Sequence, residues 1–247
     1  MRTGMGCALL ALAVVGPLRA DDRSAALAVV AEAIKAHGGE DALARMQTFV
    51  RKSAGKMTVA GKEVSFAEEY TAQLPERWRR ETDLLAGAQK LRVLQVVNGD
   101  KGWQSTGGAV TDVGTERLKE LRADAYAEWL TTLLPLKKDI ALRLAPLPET
   151  KVNGEPALGV KVSGAGRADV RLYFDKKSRL LVKAERQASE GGETVLKEET
   201  FAAYKDFDGV RLPTKVVQTV GGKRVREITE AAYKFPNKVE EGTFGKP

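Results

Sequence analysis

Cysteine and histidine are almost absent from the 247-residue chain, which has one residue of each type, Cys7 and His37. A Ser-His-Asp or Cys-His catalytic site would depend on His37, and a zinc site needs several His or Cys ligands. Phosphate-binding motifs of the GxxxxGK[ST] or GxGxxG type are also missing. The sequence therefore favours a protein that is not an enzyme and that uses no metal or other cofactor.

Long hydrophobic runs are also missing, since no stretch approaches the roughly 18 apolar residues of a membrane span. The longest run, residues 6–18, follows Arg2 and ends at Leu18, and Leu18 and Ala20 suit the −3 and −1 positions of a cleavage site. This pattern predicts a signal peptide over residues 1–20 and one mature domain over 21–247. Because Cys7 lies in the signal peptide, the mature domain has no cysteine and therefore no disulfide.

The charge balance is mildly basic, with a net charge of +7 and both signs interspersed along the chain. Such a surface favours, at most, a transient contact with an anionic membrane surface. The basic segment RWRR around Trp78 is too short to indicate nucleic-acid binding, which an exported protein does not need. We expect no nucleic-acid partner, and a monomer.

Two carboxylate doublets, Glu68-Glu69 and Glu198-Glu199, are the remaining candidates for acid and base chemistry. Adjacent residues of a strand point to opposite faces of a sheet, so neither doublet forms an acid/base pair by itself. We predict that both doublets lie on solvated or half-solvated strands.

Two helices are predicted from apolar residues at helical spacing. The first covers residues 23–37 and ends at Gly38-Gly39, where His37 is expected to contact the terminal carbonyl groups of the helix. The second covers residues 115–134, begins with Thr115 as its cap and is closed by Pro135. Its apolar stripe includes Leu121, Trp129 and Leu133.

The rest of the chain alternates with period two, which predicts about eleven strands joined by short turns. The dipeptides Ala60-Gly61, Asn98-Gly99, Asn153-Gly154 and Asp208-Gly209 are typical of tight hairpins. The fold class is therefore mostly β (α+β), with a single and mostly antiparallel sheet, an N-terminal helix and an inserted helix.

One predicted strand, ERWRRETDL, raises the question of what its two faces contact. Trp78 and Arg80 share one face, whereas Arg77 and Arg79 share the other. With Trp103 and Trp129, Trp78 is one of three tryptophans. Two readings remain open: the three side chains fill a dry core, or some of them line a ligand cavity between the sheet and a helix.

The segments LPERWRRET and VVNGDKGW resemble a strand and hairpin of the LolA/LolB/RseB-like superfamily of periplasmic lipoprotein carriers and sensors, and DFDGVRLP resembles a late strand of the same family. The resemblance implies an unclosed β-barrel, a curved sheet whose concave side is covered by the helices and holds an apolar cavity. The residues that would line this cavity are Phe66, Tyr70, Trp78, Arg80, Trp103, Leu121, Trp129 and Leu133.

The resemblance also implies a periplasmic protein that binds a lipid-like or acylated ligand, with lipoproteins as one class of cargo. In the carriers a basic residue before the matching proline helps to latch the helical lid, but Leu74 stands at that position here. The resemblance therefore does not extend to that latch. The alternative is a protein-interaction or envelope-sensor module that uses the sheet surface and has no small ligand.

Overall fold

The computed structural model describes residues 20–87, 89–190 and 192–247. Residues 1–19, which hold nearly all of the predicted signal peptide, lie outside the described residues. Within the described part, no helix is both long enough and apolar enough to cross a membrane.

Four α-helices and one short 3₁₀-helix occur in the described residues. They are α1 (Ala20–Ala36), α2 (Glu40–Ala44), the 3₁₀-helix Arg45–Gln47, α3 (Thr115–Thr131) and α4 (Leu134–Lys138). The predicted second helix is therefore two helices. Leu133, with a φ of 69°, separates α3 from α4, and Pro135 lies in the first turn of α4, where its missing N–H is not needed. Thr115 is the first residue of α3 and not its cap, which is Gly114.

The described strands form one sheet of thirteen strands, whereas the sequence predicts about eleven. They are β1 (Phe49–Val59), β2 (Lys62–Gln73), β3 (Arg77–Ala86), β4 (Gln89–Asn98), β5 (Lys101–Thr106), β6 (Val110–Asp112), β7 (Arg143–Val152), β8 (Glu155–Ser163), β9 (Val170–Asp175), β10 (Leu181–Glu190), β11 (Glu193–Phe207), β12 (Val210–Val220) and β13 (Lys223–Lys234).

The sheet is antiparallel and is not closed, which confirms the predicted fold class. Its order is β6-β5-β4-β3-β2-β1-β13-β12-β11-β10-β9-β8-β7, so β6 and β7 are the two edges. The first and last strands meet in the middle, where β1 pairs with β13. Gly55 permits this junction, because a Cβ there would lie 1.9 Å from the Glu227 carbonyl oxygen.

The tight turns follow the predicted dipeptides. Ala60-Gly61, Asn153-Gly154 and Asp208-Gly209 have positive φ at both residues, as two-residue hairpins of the right twist require. At Asn98-Gly99 the turn is shifted by one residue, because Asn98 pairs with Lys101 and Gly99 carries the positive φ. Each turn keeps its neighbouring strands antiparallel and close in sequence.

The helices lie on the concave face of the sheet. Helix α1 packs against β7 and α4, and α3 contacts β4 and β10. A Cβ at Gly102 of β5 would lie 2.9 Å from Leu118 of α3, so glycine permits this close approach. The core that results is continuous from α1 to β3 and includes Val30, Phe49, Leu130, Leu144, Leu172, Phe174, Val210 and Ile228.

Candidate ligand-binding site on the concave face

The strand register decides which side chains of β3 face the helices. Trp78 pairs with Ala72, Arg80 with Tyr70, and Thr82 with Glu68. Paired residues of neighbouring strands share a face. Since Tyr70 donates a hydrogen bond to Glu128 of α3, these side chains lie on the concave face, and Arg79 lies on the convex face.

Aromatic side chains form the deep part of this face. Phe66, Tyr70 and Trp78 are almost fully buried. The ring of Tyr70 lies 5.9 Å from that of Trp78 and 5.8 Å from that of Phe49. The deepest part of the concave face of β2 and β3 is therefore a packed aromatic layer.

Three arginines surround one carboxylate directly beside these rings. Arg51, Arg80 and Arg226 lie 3.8, 3.5 and 2.7 Å from the carboxylate of Glu68, which also accepts a hydrogen bond from Thr82 at 3.1 Å. We call the three arginines the arginine cluster. They come from β1, β3 and β13, so the sheet junction brings together residues that are far apart in the sequence.

Glu68 is fully buried, with a side-chain exposure of 0%. Burial by itself raises its pKa, but the charges of Arg80, Arg226 and Arg51 outweigh burial and lower the pKa to about 2. The prediction that Glu68 lies on a solvated strand is wrong. Its neighbour Glu69 is exposed, as predicted, because alternation turns it to the convex face.

Helix α3 contributes a second carboxylate, Glu128. It accepts hydrogen bonds from Arg51 and from the Tyr70 hydroxyl, each at 2.9 Å. Burial and the nearby Glu128 carboxylate raise the pKa of Tyr70 well above its usual range, so this hydroxyl is a donor at neutral pH. The result is that α3 is held to the centre of the sheet by polar contacts.

The guanidinium groups also stack on aromatic rings. Arg80 lies 4.8 Å from the ring centre of Tyr70 and 5.1 Å from that of Trp78, and Arg226 lies 4.2 Å from that of Phe66. Such cation–π contacts favour a charged guanidinium in a site that is largely shielded from water. They also fix the planes of the two arginines.

Beyond the arginines, toward the turns at 60–61 and 221–222, the concave face becomes apolar and open. Register places Met57 opposite Val64, Leu84 opposite Leu91, and Val93 opposite Thr82. Leu91 keeps 43% of its accessible surface, and the other apolar side chains here are partly exposed. We call the set the open apolar strip: Met57, Val59, Val64, Leu84, Leu91 and Val93.

The structure brings together most of the predicted cavity residues. Phe66, Tyr70, Trp78 and Arg80 lie in one contact network, and Leu121 and Leu133 are buried in the core that covers it. Trp129 of α3 is only partly buried, with its ring 5.8 Å from that of Tyr126. Trp103 does not join the network, because it pairs with Val96 and so faces the convex side.

Sequence reasoning missed Arg51, Arg226, Glu128 and the role of Glu68. For Glu68 a signal was present, since alternation places it on the face of Phe66 and Tyr70. A charged residue flanked by buried aromatics on one strand face indicates an interior charge that needs a partner.

His37 lies far from this site, at the end of α1. Its Nδ1 lies 2.8 Å from the Ala33 carbonyl oxygen, the predicted helix-end contact, and its Nε2 lies 3.5 Å from the backbone N–H of Leu181. Burial lowers the pKa of His37 to about 4. Both ring nitrogens therefore contact backbone groups, an arrangement that suits a structural role for His37.

A groove of about 530 Å³ lies at the other end of β2, β3 and β4. It is formed between Gln73, Arg77 and Asn98 and the C-terminal segment 237–245. Phe244 of this segment is buried beneath the guanidinium of Arg77, whose carbon lies 5.7 Å from the ring centre. The chain's own tail thus covers this end of the sheet.

Comparison with known proteins gives the fold. The chain matches a LolA superfamily protein from Nitrosomonas europaea with a TM-score of 0.57 and 14% identity, over 90% of this chain and 97% of that one. It matches a domain provisionally assigned to outer membrane lipoprotein sorting, from Vibrio parahaemolyticus, with a TM-score of 0.58 and 15% identity, over 91% and 98% of the two chains. The chain has a LolA-like fold.

A third solved structure agrees with the first two. A DUF1329 family protein from Desulfovibrio piger has a TM-score of 0.57 and 12% identity to the chain, over 89% of this chain and 96% of that one. No protein-family model matches the sequence, and no curated protein matches it. The LolA-like fold is thus recognised from the arrangement of the strands and helices at identities of 12–15%.

Proposed function

We propose that the mature protein is an exported, non-catalytic binding protein that holds a lipid-like or acylated ligand on the concave face. The open apolar strip is the observation that carries this proposal. Apolar side chains of β1 to β4 face the interior of an unclosed barrel and yet remain exposed to water. An acyl chain laid on them would remove that apolar surface from water, which favours binding by about 25 cal/mol for each Å² covered.

The absence of a reactive constellation supports a binding role over catalysis. The only histidine has both ring nitrogens on backbone groups. Among the described residues, no group of three His, Cys, Asp or Glu side chains is placed to hold a metal ion. Of the carboxylates near the site, Glu128 accepts hydrogen bonds from Arg51 and Tyr70, Glu68 accepts one from Thr82, and Glu199 accepts one from Gln218.

Export to the periplasm is part of the proposal. It is supported by the predicted signal peptide over residues 1–20 and by the LolA-like fold. The chain shares this fold with the Vibrio parahaemolyticus domain that is provisionally assigned to outer membrane lipoprotein sorting. Lipoproteins are the acylated partners that this likeness favours. Removal of the signal peptide leaves Asp21 as the first residue of the mature domain.

One mass-spectrometric experiment tests both parts. The full-length chain is expressed with its own N-terminus, recovered from the periplasm and measured under native and denaturing conditions. We expect the denatured mass to begin at Asp21 and the native protein to carry acyl species that organic solvent extracts. An empty protein that instead retains a stable protein partner would support the interaction module and overturn the lipid-binding proposal.

A matched pair of variants locates the ligand. Leu91 and Leu85 are similarly exposed, at 43% and 40%, but Leu91 faces the concave side and Leu85 the convex side. Leu91→Ser should weaken binding of a neutral apolar fluorophore such as N-phenyl-1-naphthylamine, whereas Leu85→Ser should not. Equal effects of the two changes would show that the fluorophore binds elsewhere.

A further inference from the structure

Two arginines of the cluster, Arg80 and Arg226, have only one carboxylate at ion-pair distance. Glu128 is hydrogen-bonded to Arg51 and Tyr70. Glu68, which also lies 3.8 Å from Arg51, is shared by Arg80 and Arg226, and among the described residues it is the sole carboxylate within 4.0 Å of either of these two guanidinium groups. Burial, together with the charge of Arg80, lowers the pKa of Arg226 despite the opposing effect of Glu68.

The guanidinium N–H groups are also incompletely used. Nε of Arg80, and both Nε and Nη2 of Arg226, are buried and lack a hydrogen bond of proper geometry. The 2.7 Å separation between Arg226 and Glu68 is thus an ion-pair distance without good alignment. Arg226 is nine-tenths buried, and an unsatisfied donor at that depth is costly unless an acceptor completes it.

The cluster lies next to the open apolar strip. Arg226 pairs directly with Met57 across the β13–β1 junction, and Arg80 lies four residues from Leu84 on the same face of β3. Four residues of a strand span about 13 Å. An interior set of donors therefore continues, along one face, into an apolar surface that is open to water.

We infer that Arg80 and Arg226 bind the anionic head group of an amphiphile whose acyl chain lies on the open apolar strip. This inference rests on the proposed function and adds the ligand's chemical class, an acyl chain that carries a phosphate or a carboxylate. Guanidinium forks match the oxygen pairs of these groups, and burial strengthens the interaction. A neutral acyl ligand offers hydrogen-bond acceptors but no negative charge for the two guanidinium groups.

The test compares two amphiphiles that share an oleoyl chain. Lysophosphatidic acid carries a phosphate and monoolein carries none, and each is titrated below its micelle concentration as a competitor of N-phenyl-1-naphthylamine. We expect the parent protein to bind lysophosphatidic acid at least about tenfold more tightly. Equal affinities would overturn the inference but leave the proposed function intact, whereas failure of both lipids to bind would overturn both.

Adjacent arginines supply the matched variants. Arg80 and Arg79 have nearly the same side-chain exposure, 27% and 26%, on opposite faces of β3. Arg80→Gln should reduce the preference for lysophosphatidic acid by about fivefold or more, whereas Arg79→Gln should preserve it. An unchanged preference in a folded Arg80→Gln protein would overturn the inference. If Arg80→Gln does not fold, the affinities of the parent protein for lysophosphatidic acid and monoolein still test the inference, because that comparison needs no variant.

Inorganic phosphate separates a lipid head group from a free anion. It should not displace the fluorophore at concentrations at which lysophosphatidic acid does so completely, because it has no acyl chain to cover the apolar strip. If inorganic phosphate displaces the fluorophore as effectively as lysophosphatidic acid does at the same concentration, the cluster is a free-phosphate site and the lipid inference is wrong.

Discussion

The two halves of the concave face are supplied by the same sheet but are stabilised in different ways. From β7 to β9 the interior is apolar and closed, with Leu144, Val160, Leu172 and Phe174 fully buried. From β1 to β3 and at β13, the interior contains the arginine cluster and the fully buried Glu68. Helix α1 packs against the apolar half, whereas the polar contacts of Glu128 hold α3 to the charged half.

The difference indicates which half the proposed ligand would complete. The apolar half is complete, since hydrophobic burial stabilises it with no further partner. Buried ion pairs add little net stability, because the cost of desolvation opposes their attraction. A half that holds three partly or largely buried arginines and leaves N–H groups unpaired is poorly explained by stability alone, and the proposed ligand would supply the missing acceptors.

The charged half should depend strongly on its central carboxylate, Glu68. Glu68→Gln leaves the arginine cluster without its shared counter-charge, and we expect it to cost about 3–5 kcal/mol of unfolding free energy. The neighbouring Glu69→Gln removes an exposed ion pair with Lys52 and should cost less than about 1 kcal/mol. Urea denaturation measures both. Similar costs would mean that the charged half does not depend on Glu68.

The pH dependence of stability separates the two halves. The folded pKa of His37, about 4, lies below its usual value of 6.5, so the unfolded chain binds more protons between these limits. The stability that neutral His37 contributes is present above pH 6.5 and is lost as the pH falls through 4. The loss is on the order of 3 kcal/mol. Glu68, with a folded pKa of about 2, loses its contribution only below pH 4.5.

Stability measured from pH 7 to pH 4 covers the His37 window, and comparison with a His37 variant separates its contribution from that of Glu199, whose pKa burial raises. The variant His37→Gln cannot titrate and should show a much flatter profile over that range. Because His37 is buried, its replacement by alanine should also cost more than an exposed substitution would. A profile that is equally steep in the parent and in His37→Gln would show that other groups control this window.

The sequence predicts local features of this fold better than distant contacts. The turns at Ala60-Gly61 and Asn153-Gly154 are readable because only a few residue types accept their positive φ. The pairing of β1 with β13 joins residues 169 to 184 positions apart and has no local signal. It depends on the close approach at Gly55, which a lone glycine in a strand does not reveal.

The same limit explains the candidate site. Alternation correctly groups Phe66, Tyr70, Trp78 and Arg80, because they lie on two strands joined by one turn. Trp103 was assigned to the wrong face, since the register of β4 and β5 decides its side and a one-residue change reverses it. Arg226 was missed because its partner Glu68 is brought near only by the β1–β13 junction.

The smallest predicted effect concerns the helix that covers the charged half. Trp129 is partly exposed, so Trp129→Ala should cost only about 1–2 kcal/mol, whereas the fully buried neighbour Leu130 should cost about 2–5 kcal/mol on truncation to alanine. If Trp129 contributes to the ligand site, its removal should weaken binding of a fluorescent fatty acid despite the smaller loss of stability. Leu130→Ala should cost more stability but leave fatty-acid binding unchanged in protein that remains folded. A large stability loss for Trp129→Ala, combined with no fatty-acid binding by the parent, would mean that α3 seals a packed core and that the interaction module is the better account.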